Sequence, residues 1–100
     1  MTEPDFSQEL LERASEQLKA MAHPARISIL LILKNGEKLT VTQIHESLGI
    51  EQSTTSHHLG ILKDKGVLCS KREGKNTFYY IKNNLIAQMV DSMRNCTCEE

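Results

Sequence analysis

The sequence predicts a mainly α-helical fold with one small β-hairpin, in the order α-α-α-α-β-β-α of a winged helix-turn-helix. Three observations predict it. Two segments of helical length are separated by a short turn that contains glycine, Gly49-Ile50-Glu51. A segment rich in β-branched and aromatic residues follows, and Glu73-Gly74 interrupts it as a turn would. Apolar residues before and after these segments recur at helical spacing.

The composition is that of one folded domain. The chain has 100 residues, of which 39% are hydrophobic and 25% charged, and this length suits a single domain over residues 1–100, with 94–100 as a flexible tail. The longest apolar stretch, Ile29 to Leu33, is far shorter than the roughly 20 residues that cross a bilayer. The acidic N-terminus lacks the zones of an export signal. We therefore expect no membrane partner and a cytoplasmic location.

Apolar spacing and one proline predict the first two helices. The first is expected over Phe6 to Met21, with one apolar stripe made of Leu11, Ala14, Leu18 and Met21. Pro24 suits a first helical turn and begins a segment that runs to Lys34 and is apolar nearly all round. That pattern is typical of a central core helix.

The next two helices form the predicted helix-turn-helix. Thr40 and Gln43 have the spacing of a capping box, so a short helix begins there and ends at Gly49. A further helix is expected over Gln52 to Lys65, closed by Gly66. A short helix, a turn with glycine and a second helix are the parts of a helix-turn-helix.

A hairpin and a last helix complete the expected fold. Val67 to Arg72 and Lys75 to Ile81 flank Glu73-Gly74 and predict two strands with a basic tip. The last helix is expected over Asn84 to Asn95. One of its faces carries Ile86, Met89, Val90 and Met93.

Charge is distributed unevenly, although the formal net charge is only -1 and the pI is near 6.4. Residues 1–20 hold five acidic and two basic side chains, whereas residues 52–82 hold six basic and two acidic ones. A nucleic-acid binder is recognised by such a local basic region rather than by its net charge.

The outward side of the fourth helix is the candidate DNA-binding surface. At 100° per residue, Thr55, Leu59 and Leu62 fall on one side and pack on the core, with His58 at the margin. The other side is small, polar or basic, which suits a helix in the major groove. Hydroxyls and N–H groups of its first turn can also hold a phosphate. The candidate contacts on this helix are Gln52, Ser53, Thr54, Ser56, His57 and Lys63.

The basic hairpin tip is the second part of the candidate surface. Lys71, Arg72 and Lys75 are placed to neutralise phosphates on the flanking backbone or in the minor groove. Either feature alone is commonly just a solvated surface. The two together, in this order, are much more specific for DNA binding.

Three stretches resemble the successive signatures of ArsR/SmtB repressors, and they cover about residues 14–82: LKAMAHPARISILLIL, VTQIHESLGIEQSTTSHHLGILKDKGVL and KREGKNTFYYI. The resemblance implies that the fourth helix is a recognition helix, with base or phosphate contacts from Gln52, Ser53, Ser56 and His57. The position of Thr55 is more often aliphatic in such proteins, a departure expected to loosen packing slightly.

The resemblance also implies a homodimer built from the first and last helices, in agreement with the apolar stripes on both. Two-fold symmetry would set the recognition helices about 34–36 Å apart, opposite an inverted repeat in double-stranded DNA. The side chains expected at the dimer interface are Leu11, Leu18, Ile86, Met89, Val90 and Met93.

Repressors of this kind commonly release DNA when they bind a metal ion or react at thiols. Thr40 and Thr42 stand where arsenic-responsive relatives have a Cys-x-Cys pair, and Asp91 stands without histidine where zinc-responsive relatives have ligands. Neither site is carried over. The remaining candidates for a thiophilic metal or metalloid ion, or for thiol oxidation, are Cys96 and Cys98, with Cys69 or the other subunit as a third ligand. The alternative is a tail with incidental thiols, so no cofactor is assigned.

The histidines do not predict a metal site. His57 and His58 are neighbours that point about 100° apart on a helix and have no partner at the i,i+4 spacing of ligand pairs. We expect His58 to be a half-buried residue that packs and forms hydrogen bonds, His23 to cap the second helix and His45 to lie on an exposed face. Met89 and Met93 are interpreted as packing residues rather than copper ligands.

The function that the sequence predicts is that of a dimeric, sequence-specific DNA-binding repressor. The alternative is a winged helix that contacts proteins and never touches DNA, because one fold serves several functions. We expect no enzymatic activity, since no glycine-rich phosphate loop, no nucleophile with a positioned base and no carboxylate pair can be assembled.

Overall fold

The computed structural model describes residues 7–94 and has the predicted winged helix-turn-helix order, with one strand that was not predicted. Its elements in chain order are α1 (Gln8–Met21), α2 (Pro24–Leu33), β1 (Leu39–Thr40), α3 (Val41–Leu48), α4 (Gln52–Asp64), β2 (Cys69–Glu73), β3 (Asn76–Tyr80) and α5 (Asn84–Arg94). None of the helices in this part of the chain is long and apolar enough to cross a membrane.

Side-chain caps explain where the first two helices begin. Ser7 Oγ accepts a hydrogen bond from the backbone N–H of Leu10 at 3.2 Å, which begins α1 at Gln8. The start expected at Phe6 lies outside the described residues. His23 Nδ1 accepts from the N–H of Ala25 at 3.1 Å, and Pro24 occupies the first position of α2. The prediction that His23 caps this helix is confirmed.

The capping box at the start of α3 is also confirmed. Thr40 Oγ1 accepts from the N–H of Gln43 at 3.2 Å, and Gln43 Oε1 accepts from the N–H of Thr40 at 2.9 Å. Gly49 ends the helix with φ of 69°, a left-handed conformation that glycine adopts without steric cost.

The wing is part of a three-stranded antiparallel sheet in the order β1-β3-β2. β2 and β3 form the predicted hairpin, with Glu73 opposite Asn76 across a two-residue turn. β2, the first strand of the hairpin, begins at Cys69 rather than at Val67. The reason is that the N–H groups of Val67 and Leu68 both donate to the carbonyl of Leu62, at 2.9 and 3.2 Å, and so close the end of α4.

All five helices contribute buried side chains to one hydrophobic core. α2 supplies three fully buried residues, Ile29, Leu30 and Leu33, as expected of a central helix. The other members of the cluster are Ala20, Met21, Ile44, Leu59, Leu62, Val67, Leu68, Ile86 and Val90. Full burial of one such large side chain stabilises a fold by about 1.5–3 kcal/mol, so this cluster fixes how the helices pack.

Candidate nucleic-acid interface

The two sides of α4 differ as the helical period predicts. Thr55, Leu59 and Leu62 have no exposed surface, and His58 retains 6%. The opposite side, here called the outer face, consists of exposed polar, small and basic residues: Gln52, Ser53, Thr54, Ser56, His57, Gly60 and Lys63. All six residues proposed from the sequence to contact DNA through this helix are therefore accessible.

The turn between α3 and α4 is held by His45. Its Nδ1 lies 3.1 Å from the carbonyl oxygen of Ile50, and its own carbonyl accepts from the N–H groups of Gly49 and Ile50 at 2.9 and 3.1 Å. The sequence placed His45 on an exposed face, which is wrong: the residue is half-buried. Its position one turn before the glycine allows its ring to fold back over the turn.

The first turn of α4 presents N–H groups beside hydroxyl donors. Glu51 precedes the helix and makes no side-chain cap hydrogen bond to it. The first intrahelical bond here joins the N–H of Thr55 to the carbonyl of Glu51 at 3.0 Å. The N–H groups of the preceding residues therefore point out of the helix end beside Ser53 and Thr54, an arrangement that suits a phosphate oxygen.

The C-terminal end of α4 is tied to α1. Gln17 Nε2 donates to the carbonyl of Lys65 at 3.1 Å, and Lys65 Nζ lies 3.0 Å from Glu16 Oε1. The hydrogen bond and the charge of Lys65, with a smaller effect of Lys19, lower the pKa of Glu16 below its ordinary value. These contacts connect α4 to the helix expected at the dimer interface.

The tip of the wing is exposed from Lys71 to Asn76, but its cations differ in their surroundings. Lys71 Nζ lies 3.6 Å from Glu73 Oε2, so part of its charge is compensated within the hairpin. Arg72 donates through Nε to the carbonyl of Gly74 at 3.3 Å, which orients its side chain along the turn. Lys75 occupies the turn itself.

A further cation lies beside the wing, and sequence reasoning missed it. Lys38 immediately precedes β1, whose two residues pair with Tyr79 and Phe78 of β3. Its Nζ lies 5.2 Å from the centroid of the Tyr80 ring, within the range of a cation–π contact. A two-residue strand has too few residues to show a period, and so no pattern in the sequence signals this pairing.

Arg26 is a second residue that sequence reasoning missed. Its Nε donates to His58 Nδ1 at 3.0 Å, and its Nη1 donates to the carbonyl of Ala20 at 3.0 Å. The hydrogen bond confirms the role predicted for His58, but the residue is buried, with 6% of its surface exposed, and not half-buried as expected. Burial is the main cause that lowers the pKa of His58, followed by the charges of Arg26, His23 and His57.

The residues expected at a dimer interface divide into two groups. Leu11, Leu18 and Met93 are about half exposed, and Met89 is half-buried. Ile86 and Val90 are a correction: they retain 7% and 1% of their surface because they face the core of the same chain. Ala87, also buried, widens the buried side of α5 beyond the predicted stripe.

An apolar groove lies where α1, α2 and α5 meet. It has a volume of about 260 Å³, and almost all of its exposed lining is apolar, including Leu18, Ile27, Met89 and Met93. Leu18, which lines the groove, is also one of the exposed leucines of α1.

The candidate thiols are not brought together within the part of the chain that the structure describes. Cys69 is half-buried at the start of β2, opposite Tyr80. Cys96 and Cys98 lie outside the described residues. Between residues 7 and 94, no cluster of three or more histidine, cysteine or carboxylate side chains is placed to hold a metal ion.

Comparison with known proteins places this geometry in a family. Residues 23–69 match the profile of the family described as bacterial regulatory protein, arsR family. The HTH-type transcriptional regulator YgaV of Escherichia coli is 33% identical over 98% of this chain and 99% of its own length. The chain belongs to the ArsR family.

Solved structures of ArsR-type regulators share the fold. The transcriptional repressor PagR of Bacillus anthracis is 37% identical and superimposes with a TM-score of 0.80, over 87% of this chain and 99% of PagR. A homodimeric winged helix-turn-helix DNA-binding domain from Mycobacterium bovis, 27% identical, also gives 0.80, over 93% of this chain and 85% of its own. The expected fold and family are both confirmed.

The buried hydroxyl of Thr55 gives a prediction about stability. Its Oγ1 has no hydrogen-bond partner among the described residues, although the side chain is completely buried. Thr55→Val replaces this hydroxyl with a methyl group of similar size. We expect the free energy of unfolding to rise by about 1–2 kcal/mol, measured by urea denaturation at a fixed protein concentration.

Thr55→Ser is the matched control, because it keeps the hydroxyl and removes only the methyl group. This variant should be less stable than the wild type by about 1 kcal/mol. A valine variant that is less stable than the wild type would show that the hydroxyl is satisfied in solution.

Proposed function

We propose that this ArsR-family chain is a dimeric transcriptional repressor that binds double-stranded DNA at an inverted-repeat operator. In this proposal α4 enters the major groove, and the wing contacts the flanking backbone or minor groove. The single observation that carries the proposal is the division of α4 into a side buried in the core and an exposed outer face of hydrogen-bonding side chains. Base edges in the major groove are recognised by such side chains.

The outer face supplies two kinds of contact. Ser53 and Thr54, beside the N–H groups of the first turn, suit phosphate oxygens and would fix the position of the helix on the duplex. Ser56 and His57 lie one turn further along, where side chains reach base edges in helix-turn-helix proteins. Lys63, at the C-terminal end, would meet the backbone.

The wing contributes charge rather than sequence selection. Arg72 and Lys75 are exposed at its tip, and Lys38 adds a positive charge beside the sheet. Neutralising phosphates releases counterions and strengthens binding to any sequence. The Lys71–Glu73 ion pair weakens this contribution from within the hairpin.

A homodimer would cover the apolar surface on α1 and α5. Leu10, Leu11 and Leu18 of α1 expose between 41% and 55% of their surface, as does Met93 of α5 at 54%. Leu18 and Met93 also line the apolar groove between α1, α2 and α5, and exposed apolar surface of this kind on a small protein marks an interface. The Mycobacterium bovis relative is homodimeric, and PagR is a repressor, which supports both parts of the proposal.

Release of DNA through thiols stays a prediction. It concerns Cys96 and Cys98, which lie beyond the described residues, and Cys69, whose position in the sheet is fixed by pairing with Tyr80. In this prediction the effector is a thiophilic ion or an oxidant.

The outer face is tested by the double substitution Ser56→Ala and His57→Ala. We expect the preference for an operator, selected from random duplexes with the wild type, to fall by at least about tenfold, because side-chain contacts to base edges are removed. The helix should remain folded, since both side chains are exposed. Fluorescence anisotropy with operator and random duplexes measures the preference.

Gln88→Ala is the matched control for this experiment. Gln88 is an exposed polar residue of a different helix, beside Lys34 and Asn84, and its substitution should leave both affinities unchanged. Unchanged operator preference in the double variant would show that the outer face of α4 does not select DNA sequence.

The wing is tested by replacing Lys71, Arg72 and Lys75 with glutamine. We expect affinity for operator and random DNA to fall by the same factor. The slope of log K against log salt concentration should become shallower by about 0.9 for each phosphate that the wing no longer neutralises. Anisotropy titrations over a range of salt concentrations measure both quantities.

Glu73→Gln is the opposite control, because it releases Lys71 from its ion pair and should strengthen binding to both duplexes. Unequal losses on operator and random DNA would contradict a backbone role for the wing. If the DNA affinity of the wild type does not change with salt concentration, this result would favour the alternative of a winged helix that contacts proteins.

A further inference from the structure

The contact between Arg26 and His58 differs in kind from the packing around it. The inner side of α4 meets the core mainly through apolar groups, and such contacts are less directional than a hydrogen bond. A hydrogen bond at 3.0 Å to a ring nitrogen requires a defined direction. His58 belongs to α4 and Arg26 to α2, so this bond restricts the rotation of α4 about its own axis.

Arg26 is itself held in place by a second bond. Its Nη1 donates to the carbonyl of Ala20 in α1 at 3.0 Å, so the planar guanidinium group joins three helices. The Arg26 N–H group that donates to His58 is therefore oriented by α1 and α2, which lie outside the helix-turn-helix.

We propose that Arg26 and His58 are positioning residues of the recognition helix, and that the bond between them makes operator selection sensitive to acid. The proposal rests on the proposed function, in which the outer face of α4 reads the operator. His57 is the preceding residue of the helix and lies on that face. A rotation of α4 that relieves a contact at His58 therefore displaces His57 and Ser56 from the bases.

The acid sensitivity follows from the chemistry of the two groups. Arg26 is a permanent donor, so Nδ1 of His58 must be unprotonated and the ring neutral, with its proton on Nε2. Uptake of one proton from solvent at Nδ1 would place two donors and two positive charges face to face. The hydrogen bond would be replaced by repulsion.

The groups that face His58 all oppose this protonation. Arg26 approaches it from α2 and His23 from the N-cap of α2, where the ring centroids of His23 and His58 are 4.7 Å apart. His57 precedes it in α4, and the ring centroids of His57 and His58 are 6.1 Å apart. Burial and these three groups lower the pKa of His58 below the ordinary 6.5.

The direction of the pH dependence follows from the sign of this shift. In the unfolded chain His58 takes up a proton near the ordinary pKa, whereas in the fold it resists until lower pH. The free energy of unfolding therefore falls as pH decreases below 6.5. Operator selection is lost further down, when the folded protein itself takes up the proton.

The experiment compares the wild type with His58→Asn and His58→Leu. Asparagine offers an uncharged acceptor near the position of Nδ1 and does not titrate, whereas leucine offers no acceptor. For each protein, the ratio of operator to random-DNA affinity is measured by anisotropy from about pH 7.5 to about pH 5, and the helical circular dichroism signal is recorded in the same samples.

At neutral pH, we expect the asparagine variant to keep the operator preference of the wild type and the leucine variant to lose at least about tenfold. On acidification, the wild type should lose preference while its helical signal persists, and the asparagine variant should retain preference. His57 is present in both proteins, so a difference between the two profiles does not come from this residue.

Two results overturn the proposal: coincident pH profiles for the wild type and His58→Asn, or a wild type that loses preference only together with its helical signal. If His58→Leu does not fold, the comparison between the pH profiles of the wild type and His58→Asn still tests the proposal. A wild type with no operator preference at neutral pH would instead refute the proposed function itself.

Discussion

The burial of one side of α4 is the constraint on which the rest of the structure depends. Leu59 and Leu62 are completely enclosed in the core, and the period of the helix then places Ser56 and His57 outward. The other features support this orientation. The capping box and Gly49 set the two ends of the preceding helix, His45 holds the turn, and the bond from Arg26 to His58 limits rotation. Each fixes a degree of freedom that apolar packing leaves adjustable.

The two proposed functional surfaces of the chain are physically connected. α1 carries exposed leucines on one part of its surface, and Gln17 and Glu16 bind the end of α4 at Lys65. Arg26 reaches α1 through the carbonyl of Ala20. These contacts link α1, which carries part of the proposed dimer interface, to α4, the proposed recognition helix. They are a candidate physical route between the proposed dimer interface and the proposed DNA-binding surface.

Sequence reasoning succeeded where the signal is local and periodic. The caps at His23 and Thr40 and the inner side of α4 depend on neighbouring residues, and all are as predicted. It failed where the deciding contact lies far along the chain. β1 is too short to show a period, and the partner of Arg26 is 32 residues away. Ile86 and Val90 were placed at a dimer interface because an apolar stripe does not distinguish the core of one chain from a surface shared by two.

The most direct test of DNA recognition by α4 and the wing is a map of backbone amide chemical shifts in the protein as a selected operator duplex is added. We predict that the largest changes fall on residues 52–57 of α4 and residues 71–76 of the wing, because these would meet bases and phosphates. Changes concentrated on α1 and α5, with α4 and the wing unaffected, would contradict this mode of recognition.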